Sequence, residues 1–325
     1  MEIHKLSIIL IMVYLGGSSI IIGRPLLPSN TPSFNYPGSS PPHSSSDSTP
    51  LDLSSQVSKT IGQLLGTYAP LLGQSNQVSG DGNVVAGGGN SISGSNNQVA
   101  GYLNSLGGEG NLMVGAGNSL EGDGNLVLGH LNSLQGDKNK ITGNINGIAG
   151  SQNIVLTGSQ NVVVGSSNAV LQGSRNQISG EGNIVQGNDN RVKAGAQNSV
   201  FGELNSVKGS SNLAAGNYNA ILGSSNIAVG EGNSILGQGN AVGGSLNAGR
   251  GDQNAILGSS NIWLGSGNQV IGNGVLAQGD LNQVQGDEQM VLGSQNRLVG
   301  SGQIVIVLGN LAEGTNNVVM QGDLN

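Results

Sequence analysis

The sequence predicts an all-β fold, a β-solenoid (β-roll) built from two-strand coils of about 14 residues. The main observation is a seven-residue unit, Gly-x-x-Asn-x-aliphatic-x, that repeats over residues 73–309. Between Gly73 and Gly300, 33 units begin, and 30 of them carry Asn at the fourth place. The three exceptions carry Val275, Gln289 and Gln303. The composition agrees, because 58 Gly, two Phe and no Cys in 325 residues exclude an ordinary globular core and disulfides.

The last three residues of each unit are expected to form a short strand. Side chains alternate across a strand, so in the unit 251–257 Ile256 points inward while its two neighbours point outward. One unit turns the chain half way round, and two units close a coil. The inward sixth place is almost always Val, Ile or Leu. Gly249 is therefore expected to leave a hole and Trp263 to overfill the core, with local distortion at both.

The first and fourth places of the unit are expected to build the turns. Gly at the first place fits a positive φ or a close approach between backbones. Asn at the fourth place tolerates turn geometry, and in a stack each amide can donate to the carbonyl of the next in a buried ladder. Asp would repel its neighbours at this spacing. The predicted ladder positions begin with Asn76, Asn83, Asn90, Asn97, Asn104, Asn111, Asn118 and Asn125.

The outward fifth and seventh places predict two faces of different chemistry, because successive units alternate sides. The apolar candidate binding face contains Val84, Ala86, Leu112, Val114, Leu126, Leu128, Ile154, Leu156, Ile227 and Val229. The alternative face carries Ser79, Ser91, Ser93, Ser105, Ser119 and Ser133. Three longer units, 150–157, 165–172 and 187–194, are expected to form bulges or longer turns without exchanging the sides. A long exposed apolar strip implies that it binds another surface, and the alternatives are ice, a second copy of the chain or a wall polymer.

The segments outside the repeats predict other roles. Residues 1–23 are expected to be a secretory signal peptide, with a membrane anchor as the alternative, because Lys5 precedes an apolar run that ends in small residues. Residues 24–50 are rich in Pro and Ser, which predicts a disordered linker. Residues 51–72 predict an amphipathic helix with Asp52 as N-cap, which caps the first coil or binds a partner. Its apolar stripe is Leu53, Val57, Ile61, Leu64 and Leu65. Residues 310–325 are expected to form a C-terminal cap or tail.

The sequence offers no catalytic or metal-binding constellation. Of the three histidines, His4 lies in the signal, His43 in the linker and His130 in a turn. Segments such as 80–83 (GDGN) resemble calcium-binding repeats only superficially, because the regular polar residue is neutral Asn and the acids are isolated. The net charge of −7 and the lack of a basic cluster make nucleic acid and anionic membranes poor partners. We expect no enzyme activity, no cofactor and no stable membrane insertion after signal removal.

The repeat pattern Asn-x-Val-x-Gly, as at Asn76 and Val78 or Asn83 and Val85, resembles the repeats of the ryegrass-type proteins of grasses that bind ice and inhibit its recrystallisation. The resemblance covers roughly residues 73–309 and implies a left-handed β-roll with an Asn ladder and an aliphatic core. It also implies a secreted, extracellular protein, in the apoplast or cell wall if the source is a plant. The chain departs from the family in lacking a preceding leucine-rich segment and outward Thr rows. From residue 73 onward the chain contains only Thr142, Thr157 and Thr315.

Two functions follow as alternatives. The first is a secreted ice-binding or recrystallisation-inhibiting protein that presents a flat, regular face. The second is a structural or self-associating extracellular protein, favoured by the apolar face. A looser resemblance to the head repeats of trimeric bacterial adhesins, which pack three chains through apolar faces, favours the second. Binding of a carbohydrate or a partner protein is a third possibility.

Overall fold

The computed structural model describes residues 75–306, Gly309 and residues 311–320, and all of these belong to one compact unit. The described chain is all-β and contains no helix, which confirms the predicted solenoid class. The predicted signal peptide (1–23), linker (24–50) and capping helix (51–72) lie outside the described residues.

The described chain forms 35 strands in two parallel sheets. Sheet A contains β1 (Gln77–Ser79), β3 (Ser91–Ser93), β5 (Ser105–Gly107), β7 (Ser119–Glu121), β9 (Ser133–Gln135), β11 (Gly147–Ala149), β13 (Val162–Val164), β15 (Gln177–Glu181), β17 (Arg191–Ala196), β19 (Ser206–Lys208), β21 (Ala220–Leu222), β23 (Ser234–Leu236), β25 (Ala248–Arg250), β27 (Ile262–Leu264), β29 (Leu276–Gln278), β31 (Met290–Leu292), β33 (Ile304–Ile306) and β35 (Val318–Met320). Sheet B contains β2 (Val84–Ala86), β4 (Gln98–Tyr102), β6 (Leu112–Ala116), β8 (Leu126–Leu128), β10 (Lys140–Thr142), β12 (Ile154–Val155), β14 (Ala169–Gln172), β16 (Ile184–Gln186), β18 (Ser199–Phe201), β20 (Leu213–Ala215), β22 (Ile227–Val229), β24 (Ala241–Gly243), β26 (Ala255–Leu257), β28 (Gln269–Ile271), β30 (Gln283–Gln285), β32 (Arg297–Ser301) and β34 (Leu311–Thr315).

Each strand pairs in parallel with the strand two further along the chain, so successive units lie on opposite sides of the solenoid. In sheet B, for example, Val85 of β2 lies opposite Val99 of β4, one coil later. In sheet A, Ile92 of β3 lies opposite Leu106 of β5 in the same way. The predicted alternation of sides is therefore confirmed, and two units make one coil.

The one-residue insertions are absorbed as predicted. In the unit 165–172 the register with β16 shifts between Val170 and Gln172, so Leu171 bulges. In the unit 187–194 the register between β15 and β17 shifts at Ala194, which has a φ of 46°. In the unit 150–157, strand β12 is only two residues long, and the extra residue lies in the turn that follows. The sheets keep their sides through all three insertions.

The core is one column of inward side chains, supplied by the sixth place of each unit. These side chains are buried from Ile92 of β3 to Ala312 of β34. The first of them, Val78 of β1, is 47% exposed, so the N-terminal end of the core is open at this residue. The core is narrow, and its stability depends on neighbouring coils because a single coil buries only two such side chains.

The expected distortion at Gly249 and Trp263 does not occur. Gly249 and Trp263 are register partners in β25 and β27, and the pairing continues without a shift to Ala277 of β29. The Trp263 indole is fully buried and occupies the space above Gly249, where an added Cβ would collide with the ring. The hole left by one residue is filled by the other, because they lie one coil apart on the same side.

The solenoid extends to Met320, beyond the boundary at residue 309 that the repeat pattern predicted. Strand β34 pairs with β32 over five residues, and β35 pairs with β33. Ala312 is buried in the core, and Val319 packs against it. The pattern concealed this coil because Val307 replaces Gly at the first place of its unit.

Candidate functional site

The fourth-place Asn side chains form two continuous stacks, which we call ladder A (Asn preceding a sheet A strand) and ladder B (Asn preceding a sheet B strand). Asn219 of ladder A is typical. Its Nδ2 donates to Oδ1 of Asn205 at 3.1 Å and to the carbonyl oxygen of Gly230 at 2.9 Å. Its Oδ1 accepts from the backbone N and Nδ2 of Asn233, at 3.1 and 3.0 Å. Each buried amide thus joins its coil to both neighbours, which confirms the predicted ladder.

The backbone conformation of the turns differs from the prediction at one place of the unit, the fourth. Gly at the first place has a positive φ, as predicted, and a Cβ on Gly223 would collide with the carbonyl oxygen of Gly237 in the next coil. The left-handed residue on the other side of the turn is at the third place, as in Leu204 and Ser211, with φ of 57° and 58°. No ladder Asn among the described residues has a positive φ. Asn is therefore required for its amide and not for turn geometry.

The three units without Asn all interrupt ladder A. Val275 leaves Oδ1 of Asn261 with only a backbone donor, the Val275 N–H at 3.0 Å. Gln289 and Gln303 are buried, and each donates Nε2 to two backbone carbonyls, but their Oε1 atoms lack a hydrogen-bond partner. Ladder B is intact through Asn296. The C-terminal coils are thus less completely bonded on the side of sheet A.

A second, partial ladder at the turn corners was not predicted. At the second place of many units, a side-chain acceptor receives the backbone N–H of the equivalent residue one coil earlier. Examples are Oδ1 of Asp123 for the N–H of Glu109 at 2.7 Å, and Nδ1 of His130 for that of Ala116 at 3.0 Å. The recurrence of Asp, Asn and Ser at this place was the available signal. These acids and His130 are turn-stabilising residues.

The structure places nine of the ten predicted apolar candidates on the outer face of sheet B, and the tenth, Leu156, directly follows β12 of that sheet. All six predicted serines lie on the outer face of sheet A. The apolar candidates fall into two groups that are separated by the exposed Lys140 of β10. Val84 through Leu128 lie before Lys140, and Ile154, Leu156, Ile227 and Val229 lie after it. Sequence reasoning treated them as one strip.

The group after Lys140 belongs to a surface that we call the charge-free face, the outward residues of sheet B from β12 to β30. No charged side chain points outward from these ten strands, and the bordering charges are Lys140 of β10 and Arg297 of β32. Strands β17, β19 and β25 of sheet A lie in the same coils as the charge-free face, and they carry outward Arg191, Lys193, Lys208 and Arg250. The two sides of the solenoid therefore differ in charge as well as in polarity.

The outer face of sheet A changes character along the molecule. Its early strands are rich in Ser, whereas strands β27 to β35 form a second apolar surface that we call the C-terminal strip. Its side chains are Ile262, Leu264, Leu276, Met290, Leu292, Ile304, Ile306, Val318 and Met320. Seven of them are 36–67% exposed. The sequence showed only a mixed composition here.

Ionic and metal-binding features are sparse in the described chain. Arg175 donates Nε and Nη2 to the carboxylate of Asp189 at 2.7 and 2.6 Å. This hydrogen bonding holds the pKa of Asp189 below its usual value, and both groups lie in exposed turns. The described residues contain no group of three or more His, Asp or Glu that would hold a metal ion, and no helix able to cross a membrane.

Comparison with known proteins gives one informative match. Residues 156–251 match the model of a family described as the grass antifreeze beta roll, so the chain resembles that family over this segment. No curated protein sequence matches the chain significantly. A crystal structure of the polySia-specific acetyltransferase NeuO aligns at 12% identity over 77% of this chain and 90% of that chain. Its TM-score of 0.09 is too low to support an argument.

Proposed function

We propose that the protein binds ice and inhibits ice recrystallisation through the charge-free face. The observation that carries this proposal is a coincidence of position. The segment that matches the grass antifreeze family, residues 156–251, lies within the ten strands whose outward side chains on sheet B are uncharged. Charged groups hold water tightly in their own hydration shells, whereas an aliphatic surface leaves the adjacent water free to join a lattice.

The regular spacing of this face supports the same proposal. Outward residues such as Ile227 and Ala241 lie directly above one another, one coil apart. Neighbouring strands are about 4.7–4.8 Å apart, so ten strands span roughly 40–45 Å. Because successive Asn side chains of ladder B are bonded from coil to coil beneath this face, the spacing is held rigidly. A rigid periodic surface can contact many lattice positions of a crystal at once, and weak contacts then add up.

The test compares two bulky substitutions on opposite sides of adjacent half-coils. Ala241 and Ser234 are both small, exposed fifth-place residues, on β24 of sheet B and β23 of sheet A. In a frozen sucrose film, the wild-type protein should keep ice grains small at low concentration. Ala241→Tyr should allow coarsening, because the ring holds the face away from ice, while Ser234→Tyr should retain activity.

The reverse result would move the function to sheet A. Coarse grains with the wild-type protein would discard the ice-binding proposal. Circular dichroism of each variant controls for folding, since neither ring needs to enter the core.

Secretion is proposed together with ice binding, because ice that recrystallises outside cells is reached only by a secreted protein. The support is the signal-like composition of residues 1–23, which lie outside the described residues. Fusion of residues 1–50 to a reporter should place the reporter in the medium with the first 23 residues removed. A reporter retained in the cell would argue against this part of the proposal.

Self-association is the second candidate function, and the C-terminal strip specifically favours it. Its nine apolar side chains lie on five neighbouring strands, interrupted by the outward Gln278 of β29, and apolar patches above a few hundred square ångströms commonly mark interfaces. Sedimentation should then show an oligomer that Ile304→Lys converts to a monomer, whereas Ile227→Lys on sheet B should not. A wild-type monomer at all concentrations would remove this candidate and leave the ice-binding proposal intact.

A further inference from the structure

Two outward leucines on sheet B are much more buried than their position explains. Leu112 of β6 and Leu126 of β8 occupy the outward fifth place, yet they are only 9% and 8% exposed. Ile227, at the same place of β22 on the same sheet, is 43% exposed. The two leucines pack with Val114 and Leu128 in a small cluster separate from the main core. We call these four residues the covered patch.

Neighbouring strands do not provide the missing cover. In the row of fifth-place residues, the two leucines are flanked by half-buried Gln98 and by Lys140, which is itself exposed. Leu276 on sheet A provides a comparison, because it lies between two large apolar neighbours, Ile262 and Met290. It is nevertheless only half-buried. Flanking side chains therefore give partial burial, and the covered patch needs another segment above it.

The chemistry of the sequence favours one segment as the cover. Residues 321–325 follow β35, more than about 60 Å along the solenoid from β8, and these five residues reach less than about 20 Å. Residues 24–50 are Pro- and Ser-rich and offer no continuous apolar surface. Residues 51–72 carry the stripe of Leu53, Val57 and Ile61 and their companions. An amphipathic helix requires an apolar surface for this stripe, since most helical stability comes from such packing.

The path of the chain supports the same segment. Asn90 ends the turn that leads from β2 of sheet B into β3 of sheet A, and Asn76 occupies the equivalent place before β1. By the same geometry, a segment that enters β1 in the way that β2 leads into β3 comes from the side of sheet B, where the covered patch lies. A helix over residues 51–72 would be about 33 Å long, more than the roughly 15 Å spanned by β2 to β8.

We propose that residues 51–72 dock as an amphipathic helix on the covered patch, with the apolar stripe against Leu112 and Leu126. The helix then lies on the side of the solenoid and not over the first coil, which agrees with the exposure of Val78. The covalent connection to Ser75 makes the docking intramolecular, so the docked fraction does not depend on protein concentration. Lys140 separates the docked helix from the charge-free face, which stays open. This inference does not depend on ice binding.

The natural absence of cysteine makes a direct test possible. In the full mature chain, Leu126→Cys should react with a maleimide at least tenfold more slowly than Ile227→Cys. Adding Val57→Asp and Ile61→Asp should bring the rate at position 126 up to that at position 227, which should not change. Ser55→Asp with Gln63→Asp is the matched control on the polar side of the segment, and protection should survive it.

Several outcomes would overturn the proposal. Equal labelling at positions 126 and 227 would show that the patch is open. Protection that survives Val57→Asp and Ile61→Asp would exclude this segment, and protection that falls on dilution would assign the cover to a second copy.

A disulfide test separates side docking from end capping. Under oxidation, Ile61→Cys should cross-link within one molecule to Leu126→Cys and not to Val78→Cys; the opposite pattern would restore the capping interpretation.

Discussion

Each ladder Asn uses its whole amide, and this is why the position does not tolerate a carboxylate. Nδ2 of Asn219 faces two acceptors, Oδ1 of Asn205 and the carbonyl oxygen of Gly230. An Asp at this place would present oxygen to both acceptors and lose both donors. It would also be an unpaired buried charge, because Asn219 is only 1% exposed.

We therefore predict that Asn219→Asp destabilises the protein by about 3–5 kcal/mol at neutral pH, the usual cost of an uncompensated buried charge. The loss should shrink at low pH, because a protonated carboxyl regains one donor. Thermal unfolding followed by circular dichroism at both pH values measures this.

The matched control lies two residues away. Asn217 is exposed, and its Oδ1 only accepts the backbone N–H of Glu203 at 2.8 Å. Asp occupies the equivalent place in other coils, as at Asp252 and Asp280, and accepts in the same way. Asn217→Asp should therefore change the midpoint little. Equal effects of the two substitutions would contradict the proposed role of the ladder amide.

At the scale of single residues the sequence was a good guide to the ladder, because a buried stacked position that almost always carries a neutral amide has few physical explanations. It was a poor guide to the backbone. The third place holds residues as different as Leu204, Arg175 and Tyr218 in the left-handed region. Their side chains give no hint of that conformation, which is imposed by the turn.

At the scale of strands, the stacked pair of Gly249 and Trp263 shows that the inward side chains of two neighbouring coils share one space in the core. The indole fills the space that glycine leaves, and its Nε1 has no hydrogen-bond partner. Removing the indole therefore breaks no hydrogen bond, and the cost is one of packing alone.

We predict strong coupling between these two positions. Gly249→Val should destabilise by about 1–3 kcal/mol or more through overpacking, and Trp263→Val by about 3–5 kcal/mol through a cavity. The double variant replaces the Gly–Trp pair by two stacked valines, like Val192 and Val207 of β17 and β19, and should lie within about 1 kcal/mol of wild type. A double-mutant cycle measures this coupling, and additive effects would show that the two side chains do not share one space.

The prediction of distortion failed because each residue was considered alone. The two positions are 14 residues apart, which is one coil, so the sequence did contain the signal. The same spacing shows that Val275, Gln289 and Gln303 fall on one ladder. The burial of Leu112 and Leu126 could not be found in this way, because it depends on packing outside the repeat.

For the molecule as a whole, the side on which a strand lies depends on whether an odd or an even number of units precedes it. A strand lies on sheet B only because an even number of units separates it from the other strands of sheet B. The three insertions leave parity unchanged because each adds one residue within a unit. Loss of a whole unit is different, since every later strand would then exchange sides.

This difference gives a prediction for two deletions. Removing residues 230–243 takes out one coil, shortens the charge-free face by one strand and should leave ice activity nearly intact. Removing residues 237–243 takes out half a coil and brings β25, with its outward Arg250, onto the face directly after β22. This variant should lose most recrystallisation inhibition although it retains more residues and the same strand content by circular dichroism. If the shorter deletion were the milder one, continuity of the uncharged face could not be the basis of the activity.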